Sequence, residues 1–156
     1  MKRMIQWGYG MKYWVVYFEN EQFWLQLTEQ LTAMRQIIID ENLGIHISAR
    51  EDCLAEGEVI IDESQETYKE ICRDEFNNQW RVAMKPYYDE WLNVKQKYPI
   101  GSKIEGICKC FYPQGTIVQG NDYFGVYTGK KEVLFNDFLV ACVKDYDEDN
   151  LWLVLG

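Results

Sequence analysis

Apolar positions change their period twice along the chain. Residues 12–18, Lys-Tyr-Trp-Val-Val-Tyr-Phe, are dense in aromatic and β-branched side chains, and after Glu19-Asn20-Glu21 the stretch 22–28 puts Phe23, Leu25 and Leu27 on one face. A period of two on either side of a polar turn predicts a β-hairpin. Residues 35–40, with three consecutive Ile, and residues 43–48, where Ile45 and Ile47 alternate with His46 and Ser48, predict a second hairpin about Glu41-Asn42. A further strand is expected over 58–62, after a turn at Glu56-Gly57. Residues 1–63 thus read as an antiparallel β meander, with Trp7 and Tyr9 as anchors of an irregular docking arm broken by Gly8 and Gly10.

From Ser64 the period lengthens. Tyr68, Cys72, Phe76, Trp80, Ala83, Met84, Tyr87, Trp91 and Val94 fall three or four apart, which lays one apolar stripe along a helix. Ser64 is a candidate cap and Glu66 an acidic first-turn residue. Pro86 lacks an amide hydrogen, so a kink or two helices are expected there. Residues 64–97 are read as a helical connector packed on the meander.

Beyond Gly101 short apolar pieces return at 103–111, 116–119, 123–127, 138–144 and 151–155. They are separated by Pro113-Gln114-Gly115, Gly120-Asn121-Asp122, Thr128-Gly129 and the polar run 147–150. Five strands in so few residues, with glycine at the bends, suit a small closed barrel of the OB kind over 98–156. The fold class predicted is α+β: an antiparallel β meander, a helical connector and a five-stranded OB-type β-barrel.

The wording of this last part supports the barrel. Residues 98–106, Tyr-Pro-Ile-Gly-Ser-Lys-Ile-Glu-Gly, and 111–118, Phe-Tyr-Pro-Gln-Gly-Thr-Ile-Val, resemble the opening of the S-one type RNA-binding domain, with Gly101, Gly106, Gly115 and Val118 at matching positions. The valine-rich strand, acidic turn and apolar strand of 138–155 resemble its ending. The usual Gly-Leu-Val-His-Ile-Ser type segment after the third strand has no counterpart at 123–127 or 131–135. What the resemblance implies is single-stranded RNA bound on the barrel by stacking on Tyr112, Tyr123, Phe124 and Tyr127, with Gln114, Lys130 and Lys131 as polar neighbours. Alternation along a strand also sets Tyr123 and Tyr127 on one face and Phe124 on the other, so one of those faces fills the barrel.

Charge works against a polyanion and opens a second reading. The 156 residues hold 25 acidic against 16 basic side chains, a net charge of −9, and 98–156 alone has five Lys, no Arg and eight Asp or Glu. Since phosphate neutralisation supplies most nonspecific nucleic-acid affinity, a local basic patch is required. The alternative is a protein-interaction module, of the kind seen in small immunity or inhibitor proteins, whose acidic, aromatic surface covers a basic protein partner. Trp7, Tyr9, Tyr13 and Trp14 are candidates for such an interface.

Chemistry beyond binding finds little footing. His46 is the single histidine, the serines at 48, 64 and 102 lie in no nucleophile elbow, and neither a P-loop nor a dinucleotide fingerprint occurs. No catalytic residue, metal site or cofactor is expected. The cysteines at 53, 72, 108, 110 and 142 include no Cys-x-x-Cys pair and read as reduced thiols of a cytoplasmic protein, with Cys108 and Cys110 as either a redox pair or two small buried apolar groups. No apolar run approaches the roughly 18 residues that cross a bilayer, so no membrane partner is expected.

Overall fold

The computed structural model describes residues 10–50, 54 and 58–156. Trp7, Tyr9, Cys53 and the Glu56-Gly57 turn lie outside the described residues. The chain forms two compact units, Met1–Ile47 with Gly57–Ala83, and Ser48–Glu56 with Met84–Gly156.

In the first unit the hairpin read from alternation is present, as β1 (Lys12–Phe18) and β2 (Glu21–Leu27). Glu19 and Asn20 close it at φ +48° and +66°, the left-handed pair whose twist matches the strands it joins. β3 (Ala33–Ile39) and β4 (Ile45–Ile47) form the second hairpin. Asp40 organises its turn: Oδ1 accepts from the amides of Asn42 at 2.9 Å and Gly44 at 2.8 Å, and Oδ2 meets His46 Nε2 at 2.9 Å. The strand expected over 58–62 is reduced to a single bridge between Thr32 and Glu58.

The helix does not start at Ser64. Ser64 Oγ donates to Asp62 Oδ1 at 2.5 Å in a turn, and Tyr68–Glu70 is instead an edge strand, β5, beside β1. The sheet order is β4-β3-β2-β1-β5. Helix α1 spans Arg73–Met84 and buries Phe76, Trp80, Ala83 and Met84. Its attachment runs through a polar row across three strands, because Tyr13 pairs with Gln26 and Gln26 with Arg35. Gln26 Nε2 donates to Tyr13 Oη at 3.3 Å and Arg35 Nε donates to Gln26 Oε1 at 2.7 Å. Arg35 Nη2 reaches Asn77 Oδ1 on α1 at 2.8 Å, and its guanidinium carbon lies 5.0 Å from the Phe76 ring centre and 4.9 Å from that of Trp80.

At Pro86 the helical stretch turns through a 3-10 segment, Lys85–Tyr87, into α2 (Tyr88–Lys97). The division between the units falls inside the helical stretch of 64–97, leaving most of α1 in the first unit and α2 in the second. In the second unit β6 (Lys103–Tyr112), β7 (Gly115–Gln119), β8 (Phe124–Tyr127), β9 (Phe138–Asp147) and β10 (Trp152–Leu155) follow. They close in the order β10-β8-β7-β6-β9, with β9 paired to β10 and with β10 parallel to β8. Residues 48–50 strap this barrel: the carbonyls of Ser48 and Ala49 accept from Tyr112 Oη at 2.7 Å and Trp152 Nε1 at 2.8 Å. Helix α2 is held by Trp91 Nε1 donating to Glu148 at 2.7 Å and by Tyr98 Oη donating to Asp122 at 2.6 Å.

Phe76 is fully buried among Tyr13, Trp80 and Arg35, so Phe76→Ala is expected to destabilise by about 3–5 kcal/mol, read as a lower urea midpoint. The His46 hydrogen bond, then the Gly44 amide, hold the Asp40 carboxyl below the usual carboxylate range. A carboxyl with a depressed folded pKa contributes stability that is present above its unfolded pKa and is lost as pH falls through the folded value. Urea titrations taken from neutral pH to below about pH 4 should therefore fall less steeply for Asp40→Asn than for the wild type.

Candidate nucleic-acid interface

Three of the four aromatics expected to stack bases are turned to packing. Tyr112, Tyr123 and Tyr127 are all buried. Tyr112 lies against Trp152, with ring centres 6.0 Å apart, and its hydroxyl is bound to the strap. Tyr123 lies edge-on to Tyr98 at 5.3 Å and donates to the Glu105 carbonyl at 2.7 Å, and burial pushes its hydroxyl pKa up. Gly106 makes that approach possible, since a Cβ there would meet Tyr123 Oη at 2.8 Å and Val118 Cγ1 at 2.5 Å. Tyr127 Oη accepts from the Lys131 amide at 3.2 Å. A ring enclosed in this way has no free face for a base, so the expectation for Tyr112, Tyr123 and Tyr127 is corrected.

The remaining predicted residues are distributed differently. Phe124 is half-buried beneath the Arg50 guanidinium, Gln114 is half-buried on the β6–β7 turn, and Lys130 and Lys131 are exposed between β8 and β9. Strand β7 is buried on both faces from Thr116 to Val118, so strands β7 and β8 offer no open aromatic face.

The open face is on the neighbouring strand pair. Along β6 the even positions from Ile104 to Tyr112 point inward, including Cys108 and Cys110, while Lys103, Glu105, Ile107, Lys109 and Phe111 face outward. Along β9 the outward set is Phe138, Val140, Cys142 and Lys144. Register sets Ile107 opposite Phe138 and Glu105 opposite Val140. The segment before β9 is tied to the same wall, because the Asn136 amide donates to the Cys108 carbonyl at 2.8 Å and the Cys108 amide to that of Asp137 at 2.9 Å. Leu134 and Phe135, exposed just before this anchored pair, lie on the segment leading into β9. Phe111, Phe135 and Phe138 are 48%, 63% and 59% exposed. A depression of about 360 Å³ runs between Ile107, Lys109, Phe138 and the β7–β8 turn.

The lysines share this wall. All five lysines of 98–156 lie on β6, on β9 or between β8 and β9. Lys131 is near enough to act electrostatically on the Cys108 thiol, whose pKa burial drives up. Of the eight acidic residues, only Glu105, Glu132 and Asp137 are on these elements ahead of the 145–149 run, and Asp122 is bound to Lys97. The pattern Lys-x-Glu-x-Ile-x-Lys-x-Phe of residues 103–111 carried this signal, since its odd positions alone hold charge. Among the described residues no helix is long and apolar enough to cross a membrane, and no cluster of metal-ligating side chains occurs. No family model, curated protein or solved structure matches the chain.

Because the Tyr112 ring is interior, Tyr112→Phe should cost about 0.5–1.5 kcal/mol through its hydrogen bond to Ser48 and leave any binding to the outer wall unchanged. Chemical denaturation and a binding titration on the same variant check both halves.

Proposed function

We propose that this protein is a non-enzymatic binding protein that holds single-stranded RNA on the outer wall of β6 and β9. The carrying observation is that exposed Phe111 and Phe138 face outward on the two strands with Lys109 beside them, while exposed Lys130 and Lys131 and Phe135 lie on the segment that leads into β9. Bases stack on rings of any sequence context while cations follow the phosphates, so aromatic and basic groups on one strip are the minimum that single-strand binding requires. Phe135 and Phe138 serve as stacking platforms, and Lys109, Lys130 and Lys131 follow the backbone. The reading of the fold as an OB-type barrel, and the likeness to the S-one type domain, are supported by five short strands closed out of sequence order, with β10 crossing to lie beside β8. The binding wall differs from the one that the likeness implies.

A specific observation favours a second reading. The same wall exposes Ile107 in part, Leu134 and Val140, and the chain carries a net charge of −9, which suits a protein partner with a basic rim around an apolar centre.

Fluorescence anisotropy of a labelled random RNA at two salt concentrations separates them. Micromolar binding that weakens with salt is expected, and Lys130→Glu with Lys131→Glu should weaken it by about tenfold or more. Phe138→Ser should remove roughly 1–3 kcal/mol of stacking. Absence of binding at low salt would reject RNA and turn the search to basic proteins.

A further inference from the structure

The second unit holds another cavity, of about 140 Å³, between α2 and the β7–β8 turn. Tyr87, Trp91 and Phe124 contribute to its walls, and Arg50 and Glu90 bring opposite charges to its lining. The guanidinium carbon of Arg50 lies 5.1 Å from the Tyr87 ring centre and 5.5 Å from that of Phe124. Its Nη2 donates to the carbonyls of Asn150 and Leu151, each at 3.1 Å, so both of its acceptors are neutral. Its Nε is buried without an acceptor. Among the described residues no carboxylate forms an ion pair with it, and Glu90 acts on it only through space. Burial pulls the Arg50 pKa down to about 10, the direction expected of a cation withdrawn from water without a counter-ion.

A buried charge is ordinarily paired, and a guanidinium matches the planar fork of an oxyanion. The volume is close to that of cavities that accept one benzene-sized ring. We propose that this cavity binds a small ligand carrying an oxyanion, either a carboxylate or a phosphate monoester, on a single flat ring. The oxyanion meets Arg50, and the ring lies against Tyr87, Trp91 and Phe124. Glu90 is exposed at the rim, so its carboxylate repels the ligand's oxyanion and disfavours a second anionic group.

The site goes beyond RNA binding and does not depend on it. The test is isothermal titration calorimetry and thermal shift of the whole chain with benzoate and with phenyl phosphate. Benzyl alcohol and phenol serve as their uncharged counterparts. At least one oxyanion is expected to bind tenfold or more tighter than its counterpart and to raise Tm by mass action, and the probe that saturates distinguishes carboxylate from phosphate. Arg50→Met should abolish binding. Since Arg50 also holds two carbonyls, Glu90→Gln provides the independent arm: it leaves an exposed position uncharged and should tighten binding several-fold by removing a like charge. Neither oxyanion binding below ~10 mM, equal binding of the uncharged counterparts, or an unchanged affinity in Glu90→Gln would each overturn the inference. A protein that binds RNA but neither probe would overturn the cavity assignment alone.

Discussion

The parallel pairing of β10 with β8 is the contact on which the rest of the second unit depends. It joins Leu153, Val154 and Leu155 to Gly125, Val126 and Tyr127 and turns the four-stranded sheet β8-β7-β6-β9 into a ring with no free edge. Closure decides which side chains are inside, because in a strand successive residues alternate and a closed sheet has only one interior. Cys108, Cys110, Val118, Val143 and Leu153 fill it. The outward set of β6 and β9 then becomes a surface whether or not it is apolar. The exposure of Phe111 and Phe138 is therefore a consequence of register.

Both units use the same device to fix a polar group within an aromatic setting. Arg35 lies over the rings of Phe76 and Trp80 and Arg50 over those of Tyr87 and Phe124, and each guanidinium is also hydrogen-bonded. The two differ in what surrounds the edge. Arg35 is bonded to two side-chain amide oxygens inside the first unit, which ties helix to sheet. Arg50 is bonded to two backbone carbonyls and borders an open cavity. The first arrangement is complete as packing, while the second leaves a donor unmatched, which is why it supports a ligand and the other does not.

The hairpin of β1 and β2 was legible because its alternation is local and its polar turn lies at the centre. The start of α1 was not. Tyr68 and Cys72 continue the three-four spacing of Phe76 and Trp80 backwards, yet Tyr68 pairs with Val16, some fifty positions away, and a long-range ladder leaves no local trace. The barrel strands were legible from their turns. Their inward and outward sets were harder, because Tyr112, Tyr123 and Tyr127 are amphipathic and fit either side. The lysines of 103 and 109 held the answer: an ammonium tolerates no apolar interior, so the residues sharing their parity must face water, and Tyr112 must face in.

Net charge was the strongest argument against a polyanion, and its weight depends on where the charges are. Four of the eight acids of 98–156 fall at 145–149, at the far end of β9 from Phe138. At about 3.3 Å per residue, Asp147 is up to roughly 30 Å along the strand from Phe138. Screening limits the reach of exposed charges to about 8 Å at physiological salt. A phosphate on the Lys109, Lys130 and Lys131 side therefore responds chiefly to those lysines and to Glu132 and Asp137, and hardly to the 145–149 run. Asp137 is itself engaged, accepting from the Leu134 amide at 2.7 Å. An acidic protein can hold a polyanion when its sheet register segregates charge over distances longer than the screening length, and here that separation follows from strand length alone.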